Sequence, residues 1–225
     1  MLTASRSALP DIPTIAPDDF ARRFVLRTDK LMWFLGAGAS AAAGIPTAED
    51  MIWEFKQRLY VSQRGAKLSS VADLSNPLVR ALLQEHIDAG GSLPKAGAPD
   101  EYATLFEVVW SSERDRQTFI DSKITGAKPS YGHLALATLM RAGKARLVWT
   151  TNFDPLVADA CAQVYGGTGH LTTATPDAPH LAKAALELER WPLEVKLHGD
   201  FSSRRLKNTP DELRLQDEQL RRMFV

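Results

Sequence analysis

The segment that most restricts what this chain can fold into is Leu31-Met-Trp-Phe-Leu-Gly36-Ala-Gly38-Ala-Ser40, which continues as Ala41-Ala-Ala-Gly44-Ile-Pro46. A short apolar run gives way to two glycines one residue apart and then to small residues. This is the pattern by which a buried strand passes through a tight turn into a helix. Such a turn is a phosphate cradle. Glycine lets the backbone approach a pyrophosphate with no Cβ between them, and the unpaired N–H groups of the following helix supply donors and a partial positive charge. The segment therefore points to a dinucleotide. Taken alone it also fits a glycine turn needed only for strand–helix packing, because Ala41 stands where the usual fingerprint has a third glycine.

Two further segments end in the same way. Arg146-Leu-Val-Trp-Thr150 is a short β-prone run that stops at Thr151-Asn152-Phe153-Asp154-Pro155, where asparagine, aspartate and proline all favour a turn and a helix start. Trp191-Pro-Leu-Glu-Val-Lys-Leu197 is another, ending in His198-Gly199-Asp200. Both place polar chemistry just past a strand. Ligands of open parallel sheets bind outside the carboxyl ends of the strands, so three polar tips distant in sequence can share one crevice. The expected fold is α/β, a Rossmann-like doubly wound parallel sheet.

Taken in order, Gly36-Ala-Gly38-Ala-Ser40 with Gly44-Ile-Pro46, Thr150-Thr-Asn152-Phe-Asp154 and Lys196-Leu-His198-Gly199 resemble the sirtuin superfamily. More narrowly, the chain resembles the sirtuin-like NAD-hydrolysing domains of prokaryotic immune effectors, including those associated with short Argonaute proteins. The resemblance spans roughly residues 30 to 200, and its specificity lies in the ordered triplet. It implies a Rossmann-type NAD domain with an inserted helical module, catalytic roles for Asn152 and His198, and NAD as the substrate. It further implies that NAD is held by Gly36, Ala37, Gly38, Ser40, Gly44, Ile45, Pro46, Thr151, Asp154 and Gly199. The biological role implied is that of a toxic effector in anti-phage or anti-plasmid defence. A partner protein, such as a short Argonaute carrying guide and target nucleic acid, and an oligomeric active form belong to the same expectation.

The chain also departs from the protein-deacetylating sirtuins it resembles. Those carry a four-cysteine zinc site and an Asp-Phe-Arg after the Gly-Ile-Pro, whereas here Thr47-Ala48-Glu49 follows and Cys161 is the single cysteine. One cysteine cannot supply four thiolates, and His86, His133, His170 and His180 lack close paired spacing. No zinc or other metal is expected, and water becomes the favoured acceptor. The resemblance would also supply a late strand with a Gly-Tyr-Ser-Gly-like segment for the adenosine half. No such segment occurs before Val225, so the expectation is a chain truncated at its C-terminus.

Composition limits the remaining possibilities. With 225 residues, 44% of them hydrophobic, the chain can bury one sizeable core, or one core with a satellite. Its 27 basic and 27 acidic side chains balance, so direct binding of nucleic acid or of a membrane is not expected. A lone cysteine suits a reducing, cytoplasmic setting, and neither a transmembrane run nor a signal peptide is apparent.

The chain divides into an N-terminal arm, residues 1–17, and a sirtuin-like NAD-binding domain, residues 18–225, with a helical module at about 63–128. A helix from Phe20 to about Arg27 has Phe20, Phe24 and Val25 as its apolar stripe. Thr47 with Asp50 reads as a helix cap, and Tyr131–Met140 and Leu156–Tyr165 read as helices flanking the second strand. Gly166-Gly-Thr-Gly169 is a connector, and a mixed-charge helix is expected from Pro210 onward.

Cleaving the nicotinamide–ribose bond expels a neutral leaving group and builds positive charge on the ribose carbon, so a site must orient the substrate and activate an acceptor. Asn152 suits orientation, because its amide donates and accepts without titrating. His198 suits the base, having a near-neutral pKa. Asp154 either supports the cationic ribose or caps the helix that follows, and Ser40 either meets a phosphate or caps its own helix. His133 reads as an interior or helix-start histidine, and Trp33, Trp110 and Trp149 as core. Two other functions stay open: a non-catalytic module that binds NAD or ADP-ribose as a scaffold, and a deacylase or ADP-ribosyltransferase with a protein acceptor.

Overall fold

The computed structural model describes residues 14–200 and the strand backbone at 205–206. Most of the expected N-terminal arm and the helix expected from Pro210 lie outside the described residues. At the centre is a four-stranded, all-parallel sheet of β1 (Met32–Leu35), β2 (Leu147–Thr150), β3 (Thr172–Ala174) and β4 (Leu193–Lys196), in the order β1-β2-β4-β3. A short antiparallel pair, β5 (Gly199–Asp200) with β6 (Arg205–Leu206), follows β4. Among the described residues there are nine helices, and the arrangement is compatible with a Rossmann-like fold.

The direction of chain travel decides which face each helix covers. From β1 to β2 and from β2 to β3 the chain moves one way across the sheet; from β3 to β4 it moves back. Right-handed crossovers therefore put α7 (Tyr131–Arg141) and α8 (Leu156–Tyr165) on one face and α9 (Pro179–Glu187) on the other. The packing agrees. Leu136, Ala137, Val157 and Ala160 meet Trp33, Leu35 and Val148, while Ala182 and Ala185 meet Leu193 and Val195 on the opposite side. On that second side no described helix covers the edge strand, and Met32 and Phe34 are 64% and 66% exposed among the described residues. The strand β4, covered on both faces, is buried at all four residues.

A separate apolar cluster forms beyond the sheet, where α3 (Ala48–Arg64) packs with α4 (Pro77–Gly90), α5 (Glu101–Val109) and α6 (Glu113–Ile124). The start of α3 is fixed by the expected cap: the Asp50 carboxylate accepts from the Thr47 N–H at 2.9 Å, and Thr47 Oγ1 accepts from the Asp50 N–H at 3.3 Å. Met51, Phe55 and Leu59, four residues apart, form its buried stripe, and Phe55 lies 5.3 Å from Phe106 and 5.4 Å from Phe119 between ring centroids. A buried ion pair, Lys56 to Glu101 at 2.6 Å, ties α3 to α5, and Lys56 also donates to Gln84 of α4 at 2.5 Å.

Two elements differ from expectation. The first helix, α1 (Pro17–Leu26), has no buried residue, and of its apolar stripe Phe24 reaches Trp33 at 5.9 Å while Phe20 and Val25 stay exposed. After the Gly166–Gly169 connector the chain forms β3 and α9, which local pattern does not reveal. At three residues β3 is too short for a readable alternation.

Candidate functional site

Because all four strands are parallel, their carboxyl ends share one edge. Leu35, Thr150 and Lys196 stand level in register across β1, β2 and β4, so the three polar segments that follow them emerge side by side. There a cavity of about 270 Å³ opens. Its sheet wall includes Ala37, Ser40, Thr151, Asn152, Asp154 and His198; its opposite wall is made by Ala48 and Met51 of α3, Tyr102 of α5 and Ile124 of α6. Ile45, Pro46 and Phe153 complete the lining. A larger, shallower groove of about 460 Å³ lies between α3 and the segment 108–110, and the Gln57 amide nitrogen on its rim is already donating to the Val71 carbonyl.

On the sheet wall the hydrogen bonds dictate one another. The Ser40 hydroxyl has a single proton and gives it to Asp154 Oδ2 at 2.6 Å. Its oxygen then accepts from Asn152 Nδ2 at 2.9 Å, and the same nitrogen donates to the Gly36 carbonyl at 2.9 Å. Both partners are acceptors, so the amide can sit only one way round, leaving Oδ1 as the end not committed to the protein. The Asn152 backbone is held as well, its N–H donating to Thr150 Oγ1 at 2.9 Å. Asp154 Oδ1 accepts from the Leu156 N–H at 3.1 Å, the first N–H of α8, whose N-cap residue is Pro155. Asp154, 6% exposed, and Ser40, 2% exposed, are both engaged inside the protein.

Beneath these tips Lys196 acts as a strut. Its buried ammonium donates to the carbonyls of Phe153 at 3.3 Å and Asp154 at 2.7 Å and pairs with Asp200. One side chain thus joins the segment bearing Asn152 to the segment bearing His198. Next to it Glu194 accepts from the Thr173 hydroxyl at 3.1 Å. Burial pushes the Glu194 carboxyl up to about 7, with Lys196 and the Thr173 hydroxyl drawing it partly back.

His198 lines the cavity, and burial lowers its pKa below the usual imidazole value of 6.5. Among the described residues its ring has no hydrogen-bond partner. A neutral imidazole with free nitrogens can accept a proton at pH 7. His133, by contrast, is buried at the start of α7, where its Nδ1 lies 3.2 Å from the Ser130 backbone N–H that donates to it.

The glycines separate into two kinds. Gly44 has φ +84°, a left-handed conformation that favours glycine, and it shapes the turn into Ile45 and Pro46. Gly36 and Gly38 have no positive φ, and among the described residues a Cβ on either would meet no atom within 4 Å beyond its chain neighbours. Among the described residues, neither backbone conformation nor packing requires glycine at those two positions.

The cavity gathers eight of the twelve residues expected at a site: Asn152, His198, Ala37, Ser40, Ile45, Pro46, Thr151 and Asp154. Gly36, Gly38, Gly44 and Gly199 adjoin it in sequence without lining it. Sequence reading misses Ala48, Met51, Tyr102, Ile124 and Phe153. Phe153 sits within a motif already noted, and Met51 lies one helical turn past the Thr47 cap, so both leave a trace. Tyr102 and Ile124 leave none, since only tertiary packing brings α5 and α6 to the strand tips. No group of three His, Cys, Asp or Glu among the described residues could hold a metal ion, and no helix among them is long and apolar enough to cross a membrane. Comparison with protein-family models and with curated proteins gives no match.

Proposed function

We propose that this chain is a NAD glycohydrolase, cleaving NAD with water to nicotinamide and ADP-ribose. One observation carries the reading: the segments that follow β1, β2 and β4, level in register, bring Ala37, Ser40, Asn152 and His198 to one cavity at the carboxyl ends of a parallel sheet. Among the described residues a Cβ on Gly36 or Gly38 would also meet nothing within 4 Å, room that a pyrophosphate beside a strand-to-helix turn would use. The cavity of about 270 Å³ suits the nicotinamide and its ribose, with the rest of the dinucleotide lying along the glycine turn.

The chemistry follows from the committed and free groups. Asn152 Oδ1 accepts from a ribose hydroxyl or the attacking water and fixes its position. The bond from the ribose carbon to the ring nitrogen breaks, and its electron pair leaves with neutral nicotinamide. Water adds to the cationic carbon as neutral His198 takes the proton released. The apolar helical wall keeps other water from the cation. The helices α3 to α6 serve as an inserted module that closes the site.

As a cytosolic effector of prokaryotic defence, such an enzyme would drain its own cell of NAD unless held silent. The balanced charge of the chain leaves detection of nucleic acid to a partner, for which a short Argonaute with guide and target is the proposed candidate, and oligomerisation would order the site. NAD loss should then rise when the loaded partner is added to the chain; equal loss with and without it would remove this part of the proposal.

Calorimetry with NAD tests the site itself. Wild type should bind and Gly38→Leu should not, because the new side chain fills the space the pyrophosphate needs. Wild-type affinity in Gly38→Leu would refute the phosphate-cradle reading.

A further inference from the structure

Two level rows of apolar side chains run across the face of the sheet on which α9 packs. In register, Leu193 of β4 stands beside Leu147 of β2 and Met32 of β1, and Val195 beside Trp149 and Phe34. Burial falls off along each row. Leu193 and Val195 lie buried against Ala182 and Ala185 of α9, Leu147 and Trp149 are half-buried, and Met32 and Phe34 are exposed among the described residues. A helix is about 10 Å wide and two neighbouring strands take up nearly the same width, so α9 covers β3 and β4 and leaves space for one more helix over β2 and β1. Parallel sheets are buried on both faces, which makes a bare apolar half a seat for something.

The continuation of the chain fits that seat. The step from β3 to β4 runs toward β1 and carries α9 on this face, and a chain leaving β4 in the same direction with the same right-handed sense comes to the same face. Beyond β6 the sequence spells a helix: Thr209 suits an N-cap with Glu212 three residues on, Pro210 suits the first helical position, and Arg221 and Arg222 suit the last turn. At helical spacing Leu213, Leu220, Met223 and Phe224 share one side, with Arg214, Glu218 and Arg222 opposite. We infer that residues 210–225 are the occupant of this face, seating their apolar side on Met32 and Phe34 beside α9. The segment bearing His198 is thereby tethered on both sides, by β4 before it and by this contact after it.

The test is a double-mutant cycle in the full chain, read by thermal unfolding. Phe34→Ser and Leu220→Ser should each lower the midpoint by about 4 °C, and the two together by little more than either alone, because both remove one shared contact. Leu215→Ser, on the charged side of the same helical pattern, should shift it by less than about 1 °C. Additive losses, an unchanged midpoint in Phe34→Ser, or an equal loss in Leu215→Ser overturn the assignment. So does a midpoint that rises with protein concentration alongside a dimer that Phe34→Ser dissociates, which gives the face to a second copy of the chain.

Discussion

The two walls of the cavity are built on opposite principles. At the strand tips nearly every polar group is bound to another: Ser40 to Asp154, Asn152 to Ser40 and Gly36, Asp154 to the N-terminus of α8, and Lys196 to two carbonyls and Asp200. Among the described residues the helical wall, made by Ala48, Met51, Tyr102 and Ile124, is apolar and aromatic. The hydrogen bonds of the sheet wall fix the Asn152 amide and tie its segment, through Lys196, to the one bearing His198, which is what orientation of a reacting bond would require. The helical wall offers the apolar surface that excluding water from a reacting cation would need. Perturbing the first should therefore harm turnover, and perturbing the second should harm selectivity.

The largest effect is expected at the two groups left free on the sheet wall. His198→Ala should lower kcat for NAD hydrolysis by about 10²–10⁴-fold with most NAD affinity intact, as measured by single-turnover kinetics beside calorimetry. Asn152→Ala should behave similarly, and near-normal turnover in either would remove that residue from the chemistry. Next comes the strut. Lys196→Met touches no substrate, but it releases the carbonyls of Phe153 and Asp154 together with Asp200. We expect a loss of about 10²-fold in kcat with KM little changed, the signature of misplacement; a proportional rise in KM alone would show that Lys196 serves binding.

Glu194 should affect stability and leave the site's selectivity alone. With its folded pKa raised from 4.5 to about 7, mainly by burial, the folded protein keeps a proton that the unfolded chain has released. Its contribution is most favourable below pH 4.5 and is lost as pH rises to about 7, amounting to roughly 3 kcal/mol above that range. Glu194→Gln should thus stabilise the protein at pH 8 and bring no gain at pH 4, as denaturant titrations at both would reveal. The smallest effect concerns His198. Its depressed pKa places the acid limb of kcat/KM below pH 6.5, and a limb above 6.5 would mean that another group titrates.

The same division explains what was legible in the sequence. Strand tips announce themselves locally: an apolar run, then Gly36-Ala-Gly38, Asn152-Phe-Asp154 or His198-Gly199, each needing a turn and polar groups at one point in the chain. The Thr47–Asp50 cap and α8 were readable for the same reason. The helical wall writes no such signature. Tyr102 sits in α5 among apolar neighbours, and its position opposite Asn152 follows from how α5 packs on α3 around Phe55. The same is true of β3, three residues that among the described residues pair with β4 alone, and of Lys196, whose role as a strut depends on backbone carbonyls 42 and 43 residues away in sequence.

The central claim is that the groups held at the strand tips cleave NAD and do not merely bind it. The most direct measurement is chromatographic quantification of nicotinamide and ADP-ribose after incubating NAD with the chain, alone and with its partner, and with no acylated peptide present. The account predicts equal amounts of the two products, abolished by His198→Ala. NAD that binds yet is recovered intact in both conditions would contradict it and leave a nucleotide-binding scaffold in its place.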